Sequence, residues 1–418
     1  MTDDDTGPHV IIVGAGPGGA VLGFLLARSG VRTTLLERRT DFSREFRGEV
    51  LMPGGLEPFN QMGLWRQLDD VHHIVLERIK LYANGKRVVE LEFPEPIFGQ
   101  YRPRWVSQPD LLEMLVREAT HFPNFRLIRG ATVRDLIRQN DRVVGVTLAG
   151  KTGYQELRGN FVIGADGRAS RVRVCSNLTV KQDPIPMDVV WMKIPRPKEE
   201  KQSFGNEGRA YLGGGHLLIC APTPDGKLQL GWLIAKGSFR DLRSRGLPAL
   251  IDEMARHVDA DLAQHLKQYR EDGTSPFLLS VVSDHAHSWT TPGMLLIGDA
   301  AHTMSPVGAQ GLNLAIRDAI VAANHLGPVF RTGSDPFALD AAAQAVQAER
   351  VEEIRTIQRL QSHPPKVVLR DVWWTRTLLH LLPYLARGQI RKVRNEGLFG
   401  RFAWGVSDVR LAEFQERS

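Results

Sequence analysis

Three glycine-bearing motifs contain the residues best suited to chemistry, because each one places backbone amides or a carboxylate at the end of an apolar run. The first is GAGPGG at Gly14–Gly19, the second is GADG at Gly164–Gly167, and the third is GDAAH at Gly298–His302, which leads into PVGAQG at Pro306–Gly311. Glycine-rich turns allow backbone amides to approach a phosphate closely. The motifs therefore indicate binding of a phosphate-containing dinucleotide.

The elements around the first motif fit that interpretation. His9–Val13 is an apolar run that predicts a buried strand, and the alanine- and leucine-rich stretch Gly19–Ser29 predicts the following helix, whose N-terminus would face the phosphates. A second predicted strand, Thr33–Leu36, ends in Glu37. An acid at this place binds ribose hydroxyls, which favours an adenosine without a 2′-phosphate. An ordinary tight turn is the alternative for the first motif taken alone.

The second and third motifs also follow apolar strands, Phe161–Ile163 and Met294–Ile297. With the three motifs in this order, residues 8–345 resemble the group A flavoprotein monooxygenases, which have the para-hydroxybenzoate hydroxylase fold. The resemblance implies that FAD is the dinucleotide. It also implies that Asp299 binds the flavin ribityl chain and that the loop Pro306–Asn313 caps the pyrimidine edge of the flavin.

Further positions match the family one by one. Arg47 lies where the family has an arginine against the FAD pyrophosphate, and Gln108, before the predicted helix Pro109–Ala119, lies where a glutamine contacts flavin. Each of these two, taken alone, would be a surface residue or a helix cap. The FAD-binding residues predicted in this way are Gly14, Gly16, Pro17, Gly18, Gly19, Glu37, Arg38, Arg47, Gln108, Asp166, Gly167, Asp299, Pro306, Gly308, Gly311, Leu312 and Asn313.

The chain has one dinucleotide fingerprint and thus no separate nicotinamide domain, so NADPH or NADH would bind transiently. The contact shared by flavin and pyridine nucleotide would lie at Asp166 and the nearby Arg168, Arg171 and Arg173, although a basic surface turn explains the arginines equally well. The resemblance implies that NAD(P)H reduces FAD and that O2 forms a C4a-hydroperoxyflavin. This species would then hydroxylate or epoxidise an electron-rich aromatic, polycyclic or polyene compound, such as a secondary metabolite.

The expected fold class is α/β, a Rossmann-like FAD-binding domain with an inserted mixed β-sheet substrate domain and a C-terminal helical region. The FAD-binding domain would comprise residues 1–70, 104–174 and 288–345, the substrate domain residues 71–103 and 175–287, and the helical region residues 346–418. Alternating or apolar runs separated by turn residues predict an antiparallel sheet in the substrate domain. These runs are Met187–Ile194, Ala210–Ala221 and Lys227–Ala235.

No catalytic base is evident from the sequence. His216, Tyr211 and His285 are candidates for activating a phenol, but a structural or surface role explains each of them more readily. His302 is predicted to be structural and to hold its own loop. The candidate substrate-binding residues, which would otherwise be core residues, are Trp191, Leu218, Trp232 and Pro306.

Three other functions remain open. Flavin-dependent halogenases share this fold, and the string Val190–Pro195 resembles their Trp-x-Trp-x-Ile-Pro motif but has one tryptophan and shifted spacing. Flavin-dependent reductases of prenyl or polyene chains cannot be distinguished from the monooxygenases by these motifs alone. A non-catalytic flavin carrier would need the same cofactor site.

Composition agrees with a large globular enzyme, since 42% of the 418 residues are hydrophobic and 24% are charged. No apolar run approaches the roughly 20 residues that cross a bilayer. The acidic Met1–Thr6 leaves no room for a signal peptide before the first strand, which predicts a cytoplasmic protein. Cys175 and Cys220 are the two cysteines, which excludes a disulfide framework and a cysteine zinc cluster, and we expect no metal.

The C-terminal part is basic. Pro364–Phe402 contains eight Lys or Arg residues against Asp371 and Glu396, together with leucines and tryptophans typical of an amphipathic helix. Such a segment can contact a membrane surface peripherally or an acyl carrier protein, or it can pack on the FAD-binding domain with a solvated basic face. Nucleic acid binding is not expected, because no recognised module accompanies the charge.

Overall fold

The computed structural model describes residues 8–43, 49–83, 86–150, 153–197, 204–213, 215–270, 276–368 and 398–412. The strands are β1 His9–Val13, β2 Arg32–Glu37, β3 Val50–Leu51, β4 His73–Val75, β5 Arg78–Ala83, β6 Lys86–Glu92, β7 Arg104–Val106, β8 Phe125–Arg129, β9 Val133–Gln139, β10 Arg142–Ala149, β11 Tyr154–Arg158, β12 Phe161–Gly164, β13 Val180–Asp183, β14 Met187–Pro195, β15 Glu207–Gly213, β16 His216–Pro222, β17 Lys227–Ala235, β18 Phe277–Leu279, β19 Ser283–Ala286, β20 Thr290–Thr291, β21 Met294–Leu296 and β22 His302–Thr303. The helices are α1 Pro17–Arg28, α2 Pro53–Gln61, α3 Trp65–Asp69, α4 Glu95–Phe98, α5 Gln108–Thr120, α6 Arg171–Cys175, α7 Phe239–Ser244, α8 Gly246–Ala255, α9 Ala260–Gln268, α10 Gln310–Arg331, α11 Pro336–Val368 and α12 Leu398–Trp404.

A six-stranded sheet in the order β20-β21-β12-β1-β2-β8 forms the centre of the nucleotide-binding part. All of its pairings are parallel except that between β20 and β21. Every residue of β1, β12 and β21 is buried, as expected for apolar strands covered by helices on both faces. The strand, turn and helix order predicted around the first motif is thus present, and the Rossmann-like α/β fold class is confirmed.

A seven-stranded sheet in the order β18-β14-β17-β16-β15-β5-β6 forms the second large layer. Its strands come from the two chain segments that were assigned to the substrate domain. The prediction of an antiparallel sheet is correct for all pairs except β5 and β15, which are parallel; β5 comes from a distant part of the chain. The run Ala210–Ala221 is also split, since β15 and β16 form a hairpin within it.

The two faces of the seven-stranded sheet have different neighbours. One face packs against α7, α8 and α9 in a core that includes Leu218, Trp232 and Met254. The other face carries Ile219 and Ala221, which line a large cavity next to the nucleotide-binding part. Alternation along each strand therefore decides which side chains can meet a ligand.

The described C-terminal residues return to the nucleotide-binding part. The carbonyl oxygen of Trp404, in α12, lies close to Gly54 of α2, since a Cβ added to Gly54 would be 2.7 Å from that oxygen. Val409 is buried in the main core. Most of the basic segment Pro364–Phe402 lies outside the described residues, so its proposed contacts remain predictions. None of the described helices is long and apolar enough to span a bilayer.

Five buried side chains, Asp318, His302, Arg350, Glu353 and Arg317, form what we call the buried charge network. Asp318 accepts hydrogen bonds from His302 Nε2 at 2.6 Å and from Arg350 Nε at 2.8 Å. Glu353 accepts from Arg350 and, at 2.9 Å, from Arg317. The network joins α10, α11 and the third glycine motif, and it confirms that His302 is structural.

The same carboxylates also bind backbone amides. Asp318 accepts from the Gly298 amide at 3.0 Å, and Glu353 accepts from the Val406 amide at 2.7 Å. Although burial opposes ionisation, the neighbouring cations and amides hold the pKa of Asp318 and of Glu353 below the ordinary range. Both groups are therefore charged at neutral pH, and Asp318 positions the third motif while Glu353 holds the C-terminal residues.

We predict that Asp318→Asn lowers the free energy of unfolding by about 3–5 kcal/mol, because it removes one of the two carboxylates that pair with the buried Arg350 and leaves Nε of this arginine without a charged partner. Urea unfolding followed by tryptophan fluorescence measures this loss. Asp408→Asn removes a carboxylate from an exposed pair with Arg410 and should change stability by less than about 1 kcal/mol.

Because of the buried charge network, we expect the folded protein to lose stability at acid pH. Because folding lowers the two carboxyl pKa values, their contribution is complete at neutral pH and is lost as the pH falls below about 4. Asp318→Asn should therefore show a shallower loss of stability on acidification than the wild type. Equal slopes in the two proteins would contradict this role of Asp318.

Candidate functional site

The first and second glycine motifs touch each other at the carboxyl ends of β1 and β12. Gly14 has φ +102°, and a Cβ there would lie 2.5 Å from the carbonyl oxygen of Ala165. A Cβ on Gly19 would lie 2.0 Å from the Gly14 carbonyl oxygen, whereas Gly16 faces open space. The turn is thus closed on the protein side and open on the cavity side, where α1 begins at Pro17. Its helix N-terminus is available to an anion.

The second and third motifs are joined by arginines. Arg173 donates to the carbonyl oxygen of Ala300 at 2.7 Å and to that of Arg168 at 2.8 Å, while Arg168 pairs with the Asp299 carboxylate at 3.3 Å. Asp166 accepts from the Ser170 hydroxyl at 2.5 Å and from the Arg171 amide at 2.6 Å. Burial raises the Asp166 pKa, opposed by these hydrogen bonds. Arg173 is consequently a structural residue, whereas Asp166, Arg168 and Asp299 reach the cavity.

The third motif ends in a loop that leads into α10. Asn313 donates from its amide to the carbonyl oxygens of Ala309 at 2.6 Å and Val50 at 3.0 Å, and it accepts from the Met52 amide at 2.9 Å. Its side chain ties the loop to β3 and lies behind the cavity wall. Gln310, Gly311 and Leu312, at the start of α10, line the cavity together with Pro306, and the first amides of a helix have no partner within the helix.

One cavity of about 1520 Å³ connects these elements. It lies between the glycine motifs and the seven-stranded sheet. Gly19 and Asn313 do not line it, because the first packs on the turn and the second on β3. Arg47 lies outside the described residues. The predicted FAD-binding residues that line the cavity are Gly14, Gly16, Pro17, Gly18, Glu37, Arg38, Gln108, Asp166, Gly167, Asp299, Pro306, Gly308, Gly311 and Leu312.

Glu37 lies at the end of β2, as predicted, and is buried. Its carboxylate accepts from the Ala15 amide at 3.2 Å and from the Arg39 amide at 3.0 Å. These bonds fix the carboxylate beside the first glycine turn. Gln108 is buried at the first position of α5 and also lines the cavity.

The sheet side of the cavity is mostly apolar but contains unpaired polar atoms. The Trp191 ring packs across Gly231, where a Cβ would lie 2.6 Å from Cζ3 of the ring. Within the described part of the chain, Trp191 Nε1 and Gln229 Oε1 are buried without a hydrogen-bond partner. A buried polar atom without a partner is costly, so both atoms are suited to a hydrogen bond with a bound molecule.

Glu49 is a buried acid in the cavity wall that the sequence predictions did not include. Its carboxylate accepts from Trp105 Nε1 at 3.0 Å. Burial raises the pKa of Glu49, while the Lys193 ammonium and the Trp105 hydrogen bond oppose the rise. A buried acid with a raised pKa in a cavity wall is a candidate for proton exchange with a bound molecule. The sequence signal that could have identified Glu49 as a site residue is its position two residues after Arg47 and directly before a short apolar strand.

Several predicted residues lie away from the cavity. Tyr211, Leu218 and Trp232 point to the helix-covered face of the seven-stranded sheet, so their assignment to catalysis or substrate binding does not agree with the structure. His216 shares that face and contacts the Trp232 ring. His285 pairs with His302 across β19 and β22, and burial lowers its pKa. Of the substrate candidates, Trp191 and Pro306 do line the cavity.

Comparisons with known proteins agree with this arrangement. A family model described as FAD binding domain matches residues 8–353. The 6-methylpretetramide 4-monooxygenase of Streptomyces rimosus is 31% identical over 364 residues, which cover 85% of this chain and 84% of the relative. Squalene epoxidase 1 of Arabidopsis thaliana is 25% identical over 78% of this chain, but the match covers 60% of that relative's length.

Solved structures show the same fold. Pseudomonas aeruginosa PqsL, in complex with 2-aminobenzoylacetate, has a TM-score of 0.75 at 22% identity and covers 90% of this chain and 99% of its own. p-Nitrophenol 4-monooxygenase PnpA from Pseudomonas putida DLL-E4 has a TM-score of 0.75 at 17% identity, and the match covers 92% of this chain and 97% of PnpA. From the family match and the identity to the Streptomyces relative, the chain belongs to the group A family of FAD-dependent flavoprotein monooxygenases.

Proposed function

We propose that this enzyme uses NAD(P)H and O2 to insert one oxygen atom into a polycyclic aromatic compound. The observation that carries the proposal is a continuous cavity that extends from the glycine motifs to the apolar face of the seven-stranded sheet. Its volume of about 1520 Å³ exceeds the roughly 300–1,000 Å³ of a pocket for one small molecule. FAD and a second molecule can therefore be accommodated side by side.

The residues present fit FAD. The start of α1 would hold the pyrophosphate, Glu37 the adenosine ribose, and Asp299 the ribityl chain. The N-terminus of α10 would lie at the pyrimidine edge, where its dipole stabilises negative charge. Bound FAD, once reduced by NAD(P)H, supplies the activation of O2 that oxygen transfer requires.

The chain itself would position the substrate and exclude water. Leu76, Trp105 and Ala221 belong to an apolar cluster at the cavity wall, and Phe399 and Phe402 of α12 extend this wall from the C-terminal side. A dry cavity prevents wasteful loss of activated oxygen. Gln229 and Trp191 would bind polar groups of the substrate, and Glu49 would accept the proton of a phenol and so increase its electron density.

The substrate class rests on the identity to the Streptomyces relative, whose name gives a polycyclic aromatic substrate, 6-methylpretetramide. The mostly apolar sheet face with two unpaired polar atoms suits such a molecule. A long polyene such as squalene would leave Gln229 and Trp191 without partners. We therefore favour hydroxylation of a phenolic ring system over epoxidation of a polyene.

The proposal is tested by incubating the purified holoenzyme with NADPH or NADH, isotopically labelled O2 and either 6-methylpretetramide or squalene. We expect mass spectrometry to find one labelled oxygen atom in the aromatic product. Oxygenation of squalene alone would overturn the substrate class. A hydrogenated product, or chlorination in the presence of chloride, would overturn the monooxygenase reaction.

Asp299→Ala is expected to weaken FAD binding by roughly 10- to 100-fold, because a charge-assisted hydrogen bond contributes about 1.5–3 kcal/mol. The ratio of flavin to protein absorbance after gel filtration measures the effect. Asp241→Ala, which changes an exposed aspartate on α7, is the matched control and should keep its FAD. Full flavin content in Asp299→Ala would rule out the assigned contact.

Glu49→Gln should lower kcat/KM for a phenolic substrate by about 100-fold, the usual effect of losing a general base. The wild-type rate should rise with pH as Glu49 loses its proton, and the variant should lose this limb of the profile. FAD content should remain normal in the variant. The exposed Glu156→Gln serves as the control, and an unchanged pH profile in Glu49→Gln would exclude a proton-accepting role.

A further inference from the structure

Two histidines and one glutamate meet on the helix-covered side of the seven-stranded sheet. His216 begins β16, Glu253 lies in the last turn of α8, and His257 follows the end of this helix. Each residue offers one ligand atom, and these atoms all lie within 4.8 Å of one another. The three residues are half-buried, so the group is shielded but accessible.

The local geometry already brings the ligand atoms together. Glu253 and His257 are one helical turn apart, and His257 Nε2 lies 3.2 Å from Glu253 Oε1. The rings of His216 and His257 lie 4.4 Å apart between centroids. Arg256 binds the other carboxylate oxygen, Oε2, at 2.7 Å and so orients Glu253.

The donor set is suited to a transition metal. Imidazole nitrogen and carboxylate oxygen bind Zn²⁺ at about 2.0–2.2 Å, which places neighbouring ligands of a tetrahedral site roughly 3.3 Å apart. Rotation about the side-chain bonds of half-buried residues can close the remaining gap. Mg²⁺ prefers oxygen ligands and would not select two imidazoles.

We propose that His216, Glu253 and His257 form a Zn²⁺ site with water as the fourth ligand. The metal would join α8 to the first residue of β16 and stabilise the layer of helices on the sheet. The site lies on the face opposite the FAD cavity, because Leu218, two residues after His216 in the same strand, belongs to the core that contains Met254 of α8. It departs from the expectation of no metal, which rested on the scarcity of cysteines.

The experiment uses tag-free holoenzyme that has been treated with a chelator and dialysed against ZnCl2 or MgCl2. We expect one equivalent of bound zinc by elemental analysis, no bound magnesium, and a rise in Tm with zinc concentration. His257→Gln should weaken zinc binding by well over tenfold, since even residues that only support a ligand contribute 10- to 100-fold. FAD content reports whether each variant is folded.

His121→Gln is the matched control, because it removes an exposed histidine that follows α5 and leaves the three ligands and Arg256 unchanged. It should retain stoichiometric zinc. If His257→Gln does not fold, Glu253→Gln provides the same test. Equal zinc binding in wild type and a folded ligand variant, or no zinc-dependent change in Tm, would overturn the proposal and leave an ordinary helix ion pair.

Discussion

The buried charge network is the interaction on which the rest of the site depends. Asp318 fixes the amide of Gly298 and the ring of His302, so the third glycine motif is held from behind by α10. Arg350 and Glu353 carry that constraint to α11 and to the C-terminal residues. Buried ions are costly unless every partner is present, and the arrangement therefore favours one register of these segments.

The cavity follows from how side chains are arranged in the two large sheets. In the nucleotide-binding sheet, fully buried apolar strands end together, so the three motifs meet at one edge. In the seven-stranded sheet, alternate residues face either the helices or the cavity. Gln229 illustrates the result: it is the polar residue on the cavity face of β17, while its neighbours Leu228 and Leu230 belong to the opposite core.

The sequence predicted the elements with strong local signals. The apolar strands, the glycine turns and Glu37 could be placed because their spacing is local, and the family resemblance supplied the cofactor. The choice between the two faces of the seven-stranded sheet was not predictable, since a shift of one residue exchanges them, and the candidates Tyr211, Leu218 and Trp232 lie on the face away from the cavity. Contacts between distant segments, such as Glu49 with Trp105 or His216 with His257, leave no periodic pattern in the sequence.

The return of α12 to the cavity has a consequence for how the protein is made on the ribosome. Phe399 and Phe402 supply part of the cavity wall, and Glu353 receives hydrogen bonds from the amides of Val406 and Ser407. All strands of both large sheets precede these residues in the chain. The nascent enzyme can therefore assemble its sheets early, but its cavity stays open to water until the segment containing α12 has emerged and docked.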